Sequence, residues 1–182
     1  DSSESRGLGD VYKRQILELA RKNGSQILLA SSSEIYGNPL INPQNENYFG
    51  NVNSIGLRSC YSEGKRISEY LFNYYRFKYK LDIRIARIFN TYGPRLNSDD
   101  GRVISNFITS ALNNKKLIIY GNGNQTRSFC YIDDLIKALI RLMNVKYYLP
   151  VNLGNPDELT IYELAIKILQ KLDKQIDFIS FR

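Results

Sequence analysis

An apolar run at residues 26–30 and a second strand-like stretch at 82–89 bracket a helical pattern about twenty residues long at 61–80, and that spacing leaves few folds open. An apolar run without polar alternation marks a strand buried on both faces of a parallel sheet. Two parallel strands need a crossover of a dozen or more residues, and a helix between them supplies it. The segment therefore reads as a β-α-β unit, and the chain as an α/β protein. In the helix, Ile67, Tyr70, Leu71, Tyr74 and Phe77 recur at helical spacing, while Phe72, Tyr75 and Tyr79 add a second apolar flank. A helix apolar on more than one side needs cover beyond its own sheet. That predicts a homodimer formed through helix 62–79.

The remaining elements follow from shorter patterns. Residues 16–22 read as the end of a helix, with cations in its last turn and Gly24 just beyond. Residues 1–15 show no sustained period and read as a non-native leader, a flexible native terminus being the alternative. The Asn-, Pro- and Gly-rich stretch 38–53 reads as a loop. Beyond the second strand come a turn at 90–95, a helix at 103–113 and a strand at 117–120. A helix at 133–143 opens on acidic residues that suit its dipole, and 151–153 reads as a short strand. Thr160 and Glu163 form a capping box for a helix through Leu172, and 176–181 alternates as a final strand.

Composition narrows the chemistry. The chain of 182 residues has no histidine, which removes Ser-His-Asp and Cys-His machinery and most zinc sites. No metal site is expected, and acid–base work falls to Tyr, Lys, Asp, Glu or Cys. The net charge of +7 is spread among acidic residues rather than massed, so a solvated surface is expected and no nucleic-acid partner. No stretch approaches the roughly 20 apolar residues of a membrane span. Two cysteines, without metal-ligand spacing, point to a reducing, cytoplasmic setting.

The chemistry concentrates at the end of the first strand and the start of the long helix. Ser31, Ser32, Ser33 and Glu34 follow the first apolar run, and Tyr61 and Lys65 stand four residues apart. On a helix that spacing puts both on one face, about 6 Å apart along the axis. A phenol titrating near 10 is a poor base at neutral pH, and a neighbouring ammonium favours its phenolate. Such a pair can take a proton from a sugar hydroxyl as hydride leaves the carbon, with Ser32 hydrogen-bonding the same hydroxyl. A solvated helix face produces the same Tyr-Lys pair by chance, and the serines serve equally as a polar strand-to-loop transition. Cys60 reads as a small buried filler, and Asp133 as a helix cap.

These residues resemble the extended short-chain dehydrogenase/reductase family of nucleotide-sugar enzymes, and within it the UDP-glucuronate decarboxylases. The resemblance runs from about Ile16 to the C-terminus. It rests on Ser32-Ser33-Glu34-Ile35-Tyr36-Gly37, Gly50-Asn51-Val52-Asn53, Arg58-Ser59-Cys60-Tyr61 with Lys65, Arg87-Ile88-Phe89-Asn90-Thr91-Tyr92-Gly93-Pro94, Asp99-Asp100-Gly101-Arg102 and Gln125-Thr126-Arg127. It implies the C-terminal part of a Rossmann-like doubly wound parallel sheet over 16–92, and over 93–182 mainly a small α/β substrate-binding domain interleaved with it. It implies bound NAD, with Tyr61, Lys65 and Ala30 as cofactor-binding positions, and a UDP-sugar substrate oxidised at C4. Tyr61 is then the base, Lys65 holds phenolate and nicotinamide ribose, Ser32 orients the hydroxyl, and Ser33 and Glu34 serve decarboxylation and reprotonation. Asn90, Arg127, Arg102 and Tyr120 match positions at the diphosphate and uridine ribose. Blander roles exist for each: a turn former, two surface cations and a core ring.

No glycine-rich phosphate loop occurs in the chain, although a dinucleotide requires one. The family carries that loop, and a later Arg-Lys-Pro-Asp segment, outside the matched stretch. The chain thus reads as a fragment truncated at both ends that as given holds no NAD. The same Tyr-Lys pair also serves 4-epimerases and 4,6-dehydratases, with Ser33, Glu34 and the loop 51–58 favouring decarboxylation. A non-catalytic nucleotide-sugar-binding domain is the reading of another class.

Overall fold

A computed structural model describes residues 4–56, 59–98 and 101–182, with side chains from Tyr12 onward. Arg58, Asp99 and Asp100 of the quoted motifs lie outside the described residues. The chain divides into two units. One comprises the residues up to Phe89 with Leu135–Leu153, the other Asn90–Asp134 with Gly154–Arg182.

In the first unit, β1 (Ile27–Ser32), β2 (Ile83–Ile88) and β7 (Val151–Leu153) form one parallel sheet in the order β1-β2-β7. The crossover between β1 and β2 contains α2 (Ser59–Tyr79), so the β-α-β unit is present. The register runs from Ile27 opposite Ile83 to Ser32 opposite Ile88. Two expectations for β1 need correction. It continues two residues past the apolar run, and of its residues Leu29 and Ser31 are buried while Ala30 is exposed. The reason is position: β1 is the edge of this sheet, whereas the central β2 is buried from Ile83 to Arg87.

The helix α1 (Glu4–Asn23) also begins earlier than its sequence suggests, at Glu4 instead of Ile16. Gly7 and Gly9 blur the period. Once Leu17 and Ala20 are docked against Phe72 and Tyr75, each added residue gains a hydrogen bond at little further cost. The Tyr75 hydroxyl donates to Glu18 Oε1 at 2.6 Å and ties the two helices. On α2 the buried flank is Phe72, Tyr75, Ser68 and Glu69, while Ile67, Tyr70, Tyr74 and Phe77 form an exposed stripe.

In the second unit, α3 (Val103–Leu112) and α5 (Ile161–Lys171) pack with β4 (Leu117–Ile119) around Phe107, Ala111, Leu164 and Leu169. Thr160 and Glu163 make the expected capping box. Four short strands had no sequence signature: β3 (Thr91–Tyr92), β5 (Thr126–Ser128), β6 (Cys130–Tyr131) and β8 (Glu158–Thr160). They pair as β3 with β6 and β5 with β8, and two or three residues are too few to reveal a period. The last strand, β9 (Ile179–Phe181), is shorter than expected because 176–178 wind into a 3-10 turn. The helix α4 (Ile132–Met143) carries Asp133 and Asp134 in its first turn, so Asp133 lies inside the helix rather than capping it.

The loop after β1 doubles back on itself. Asn38 N donates to Asn51 O at 2.9 Å, and Asn51 N to Tyr36 O at 2.8 Å. Gly37 permits this with a φ of 66°, and a Cβ there would run into the Asn51 carbonyl. Gly24 has a similar φ of 61° but open space around it. Gly37→Ala should therefore cost about 1–3 kcal/mol in urea unfolding, and clearly more than Gly24→Ala. Equal losses at the two positions would refute the close approach as the cause.

Candidate active site

The carboxyl ends of parallel strands are where ligands bind in open α/β sheets, and the hydroxyl cluster sits at such an end. Ser32 closes β1, and its Oγ accepts from Glu34 N at 3.2 Å, which caps a 3-10 turn over Ser33–Tyr36. The cap leaves the hydroxyl proton of Ser32 to donate elsewhere. Glu34 lies in the first turn of that helix, and Ile35 and Tyr36 beyond it are buried as its anchor.

Opposite the strand end, α2 carries Tyr61, Lys65 and Glu69 at successive i, i+4 positions on one face. Lys65 Nζ donates to Ala30 O at 2.8 Å and stands 5.6 Å from the centroid of the Tyr61 ring. Helix and strand are thus joined where the Tyr-Lys pair sits, and Tyr61 remains 41% exposed to a ligand. Burial, and then the Lys13 ammonium on α1, push the Lys65 ammonium below its ordinary range. A Lys65 depressed in this way prefers to shed its proton in the folded state. Folding stability gained from this group therefore rises as pH climbs from the folded midpoint to the unfolded one near 10.5.

Beneath this pair lies a buried polar network that sequence reasoning did not single out. Ser31 Oγ donates to Glu69 Oε1 at 2.6 Å. Arg87, opposite Ser31 in the β1–β2 register, grips Glu69 with Nε to Oε1 at 3.0 Å and Nη2 to Oε2 at 2.8 Å. Arg87 Nη1 donates to the Tyr36 hydroxyl at 2.9 Å, and that hydroxyl donates to Asn152 Oδ1 at 2.8 Å. Burial opposes the charge on Arg87, yet the bonds and charge of Glu69 outweigh it and hold its pKa above the usual value. The signal available was an arginine inside the apolar run of β2, and a glutamate one helical turn beyond Lys65.

The same residues pin the loop. Arg87 Nη1 also donates to Glu46 O at 3.1 Å, and Asn152 Nδ2 to Gln44 O at 3.0 Å. Arg66 Nη1 reaches Phe49 O at 2.8 Å and Ile35 O at 3.0 Å. Cys60, expected as a buried filler, is exposed. Its neighbours Ser59 and Ser62 take the inward side of the first turn of α2.

In the second unit a cavity of about 210 Å³ brings together Asn90, Arg102 and Arg127, with Tyr92 and Phe129 as apolar walls. Asn90 Nδ2 donates to Ser128 O at 3.3 Å, and Arg127 Nη1 to Thr126 O at 2.7 Å. Two guanidiniums and an amide in one apolar-walled recess suit a diphosphate. Tyr120 does not join them: it is 66% exposed and lines a separate cavity with Asn106 and Ser110. It is not a core ring either. Among the described residues, no group of three His, Cys, Asp or Glu could hold a metal ion.

Comparison with known proteins places this geometry. The profile of a family described as NAD dependent epimerase/dehydratase matches residues 11–154. UDP-glucuronic acid decarboxylase 6 of Arabidopsis thaliana is 54% identical over 167 residues, covering 91% of this chain and 49% of that protein. The chain spans about half the length of the curated relatives it matches. UDP-glucuronic acid 4-epimerase of Bacillus cereus, solved with UDP-glucuronic acid and NAD, superposes with a TM-score of 0.81 at 25% identity, over 95% of this chain and 54% of that one. The dTDP-glucose 4,6-dehydratase of Bacillus anthracis in complex with NAD shares the fold, with a TM-score of 0.86 at 24% identity over 100% of this chain and 57% of that one.

Replacing Lys13 by Gln removes the like charge facing Lys65 while leaving its burial. The Lys65 midpoint, followed by NMR of 13Cε-labelled lysine, should rise part of the way towards 10.5 and narrow the alkaline window of stabilisation. A fall in the midpoint would contradict the repulsion.

Proposed function

Because the chain belongs to the NAD dependent epimerase/dehydratase family, we propose that it supplies the proton-transfer part of an enzyme that carries out NAD-dependent decarboxylation of UDP-glucuronate to UDP-xylose, the dinucleotide's phosphate loop lying outside this chain. The observation that carries this reading is the Lys65 ammonium, held between the Ala30 carbonyl and the Tyr61 ring at the strand end that bears Ser32. The identity of 54% to a UDP-glucuronic acid decarboxylase supports it independently.

Tyr61, Lys65 and the exposed Ala30 edge fit the nicotinamide end of NAD: an ammonium with further N–H groups to offer a ribose, beside a partly exposed phenol. When bound, NAD supplies an acceptor for the C4 hydride and returns it once CO2 has left. In this reading Tyr61 takes the proton of the C4 hydroxyl as the C4 hydrogen departs with its electron pair. Lys65 stabilises the resulting phenolate, and Ser32 fixes the hydroxyl by donating its own proton. The ketone formed at C4 lies β to the C6 carboxylate. The C5–C6 bond can then break, with its electrons delocalised into the ketone and CO2 released. At the turn beside the strand end, Ser33 donates its hydroxyl proton to the carboxylate, and Glu34, in its protonated form, returns a proton to C5. The cavity lined by Asn90, Arg102 and Arg127 takes the diphosphate.

Two further parts belong to the same proposal. The exposed stripe Ile67, Tyr70, Tyr74 and Phe77 on α2 supports a homodimer, since an unbroken apolar face of that kind is normally covered. Neither Cys60 nor Cys130 forms a disulfide, which supports a reducing, cytoplasmic setting.

Incubated with NAD+ and UDP-glucuronate, a completed enzyme that carries this chain together with a dinucleotide phosphate loop should release CO2 and form a pentose nucleotide; a C4 epimer formed without CO2 would replace this reading with a 4-epimerase. Tyr61→Phe should lower turnover by about 10²–10⁴-fold while UDP affinity, measured by calorimetry, is unchanged. Arg127→Ala should weaken UDP binding by about 10–100-fold, the value of hydrogen bonds to a charged group. Unaltered UDP affinity there would remove Arg127 from the nucleotide site.

A further inference from the structure

Glu69 stands four residues after Lys65 on the same helix face, a spacing at which a lysine and a glutamate attract each other. Nevertheless Lys65 turns to the Ala30 carbonyl, and both Glu69 oxygens are occupied by Ser31 and Arg87. Glu69 is 7% exposed and Arg87 8%, so neither charge is compensated by bulk water. A carboxylate buried to that degree without a partner is strongly unfavourable and recruits the nearest cation. Charged groups on the elements around Lys65 include Lys13 and Glu18 on α1, Glu34 in the 3-10 turn, and Arg84 and Arg87 on β2, with Glu63, Arg66 and Glu69 on its own helix; Glu18 is held by Tyr75 and Arg21, and Arg84 by Asp82. Of the two helix carboxylates, Glu63 faces Arg66 at 3.7 Å. Glu69 is the one a single turn away on the Lys65 face.

We propose that Arg87 is a positioning residue for the proton-transfer pair: by occupying both oxygens of Glu69 it keeps that carboxylate from capturing the Lys65 ammonium, which stays with Ala30 and Tyr61. This rests on the reading of Tyr61 and Lys65 as the proton-transfer pair, but the placement of Lys65 can be tested apart from the reaction. The bidentate fork explains the choice of arginine. A lysine at 87 would engage one oxygen and leave the other available.

The test follows the Lys65 Cε resonance of 13Cε-lysine-labelled protein through a pH titration in the wild type, Arg87→Gln, Glu69→Gln and the double variant. In Arg87→Gln the Lys65 midpoint should rise by about one pH unit, the effect of gaining an opposite charge at close range. It should stay near the wild-type value in Glu69→Gln and return there in the double variant. A clamp of purely structural importance would destabilise Arg87→Gln without moving this midpoint, so an unchanged midpoint overturns the proposal. So does a midpoint that stays raised in the double variant. If Arg87→Gln does not fold, Arg87→Lys should show a smaller rise in the same direction, and no rise there is equally fatal. In turnover of the completed enzyme with NAD+ and UDP-glucuronate, Arg87→Gln should lose more than about tenfold in kcat with KM little changed. The double variant should recover to the level of Glu69→Gln. A raised midpoint with undiminished turnover would remove the positioning role. An inactive wild type that shows the full titration pattern would instead uphold the sequestration of Glu69 and count against the proposed reaction.

Discussion

The ion pair between Glu69 and Arg87, with Ser31 donating to the same carboxylate, joins an edge strand, a central strand and a helix at one level. Everything chemical in the first unit is measured from that level. One turn along α2 Lys65 meets the carbonyl of the residue before Ser31, and another turn along stands Tyr61. One residue along β1 is Ser32, and beyond it the turn with Ser33 and Glu34. A slip of β1 by a single residue would send Ser31 to the opposite face. The carboxylate would lose one partner, and the Lys65 anchor would change with it. A buried pair of this kind is a weak source of net stability but a strong specifier of register, because every misaligned alternative strands a charge.

The features legible in the chain were those with long periods. Twenty residues of α2 between the apolar run of β1 and the isoleucine-rich β2 announced a parallel crossover, and the two strands pair as that predicts. Short elements were invisible because β3, β5, β6 and β8 draw their stability from pairing with distant segments rather than from their own pattern. The beginning of α1 escaped for a related reason. Its helicity is supported by packing on α2, which two glycines in a local window conceal. Burial of β1 on both faces was inferred from composition, which cannot distinguish an edge strand from a central one.

The site was readable where spacing carries the geometry. Tyr61 and Lys65 fall on one face by arithmetic, and Ser32 lies at the strand end the apolar run defined. Arg102, Asn90 and Arg127 share a cavity although they lie on separate segments, and their resemblance to a known family named them before any local pattern could. That resemblance also named Tyr120, which lies elsewhere. Glu69 and Arg87 are the reverse case. An arginine within a strand and a glutamate one helical turn beyond Lys65 are faint signals, and their importance becomes visible when burial and pairing are known together.

The loop returning from β1 to α2 is fastened mainly by its main chain. Arg87, Asn152 and Arg66 grasp the carbonyls of Glu46, Gln44 and Phe49, and Gly37 lets the ends approach. Apart from Glu46, Tyr48 and Asn51, whose side chains bond Asn152 N, the Leu40 N–H and the Asn38 carbonyl, that fastening is indifferent to which side chains the loop displays. New residues can be tried along it, by natural drift or by design, while its path and the machinery below stay in place. A scaffold that separates course from content in this way can change what a segment displays without changing where it runs.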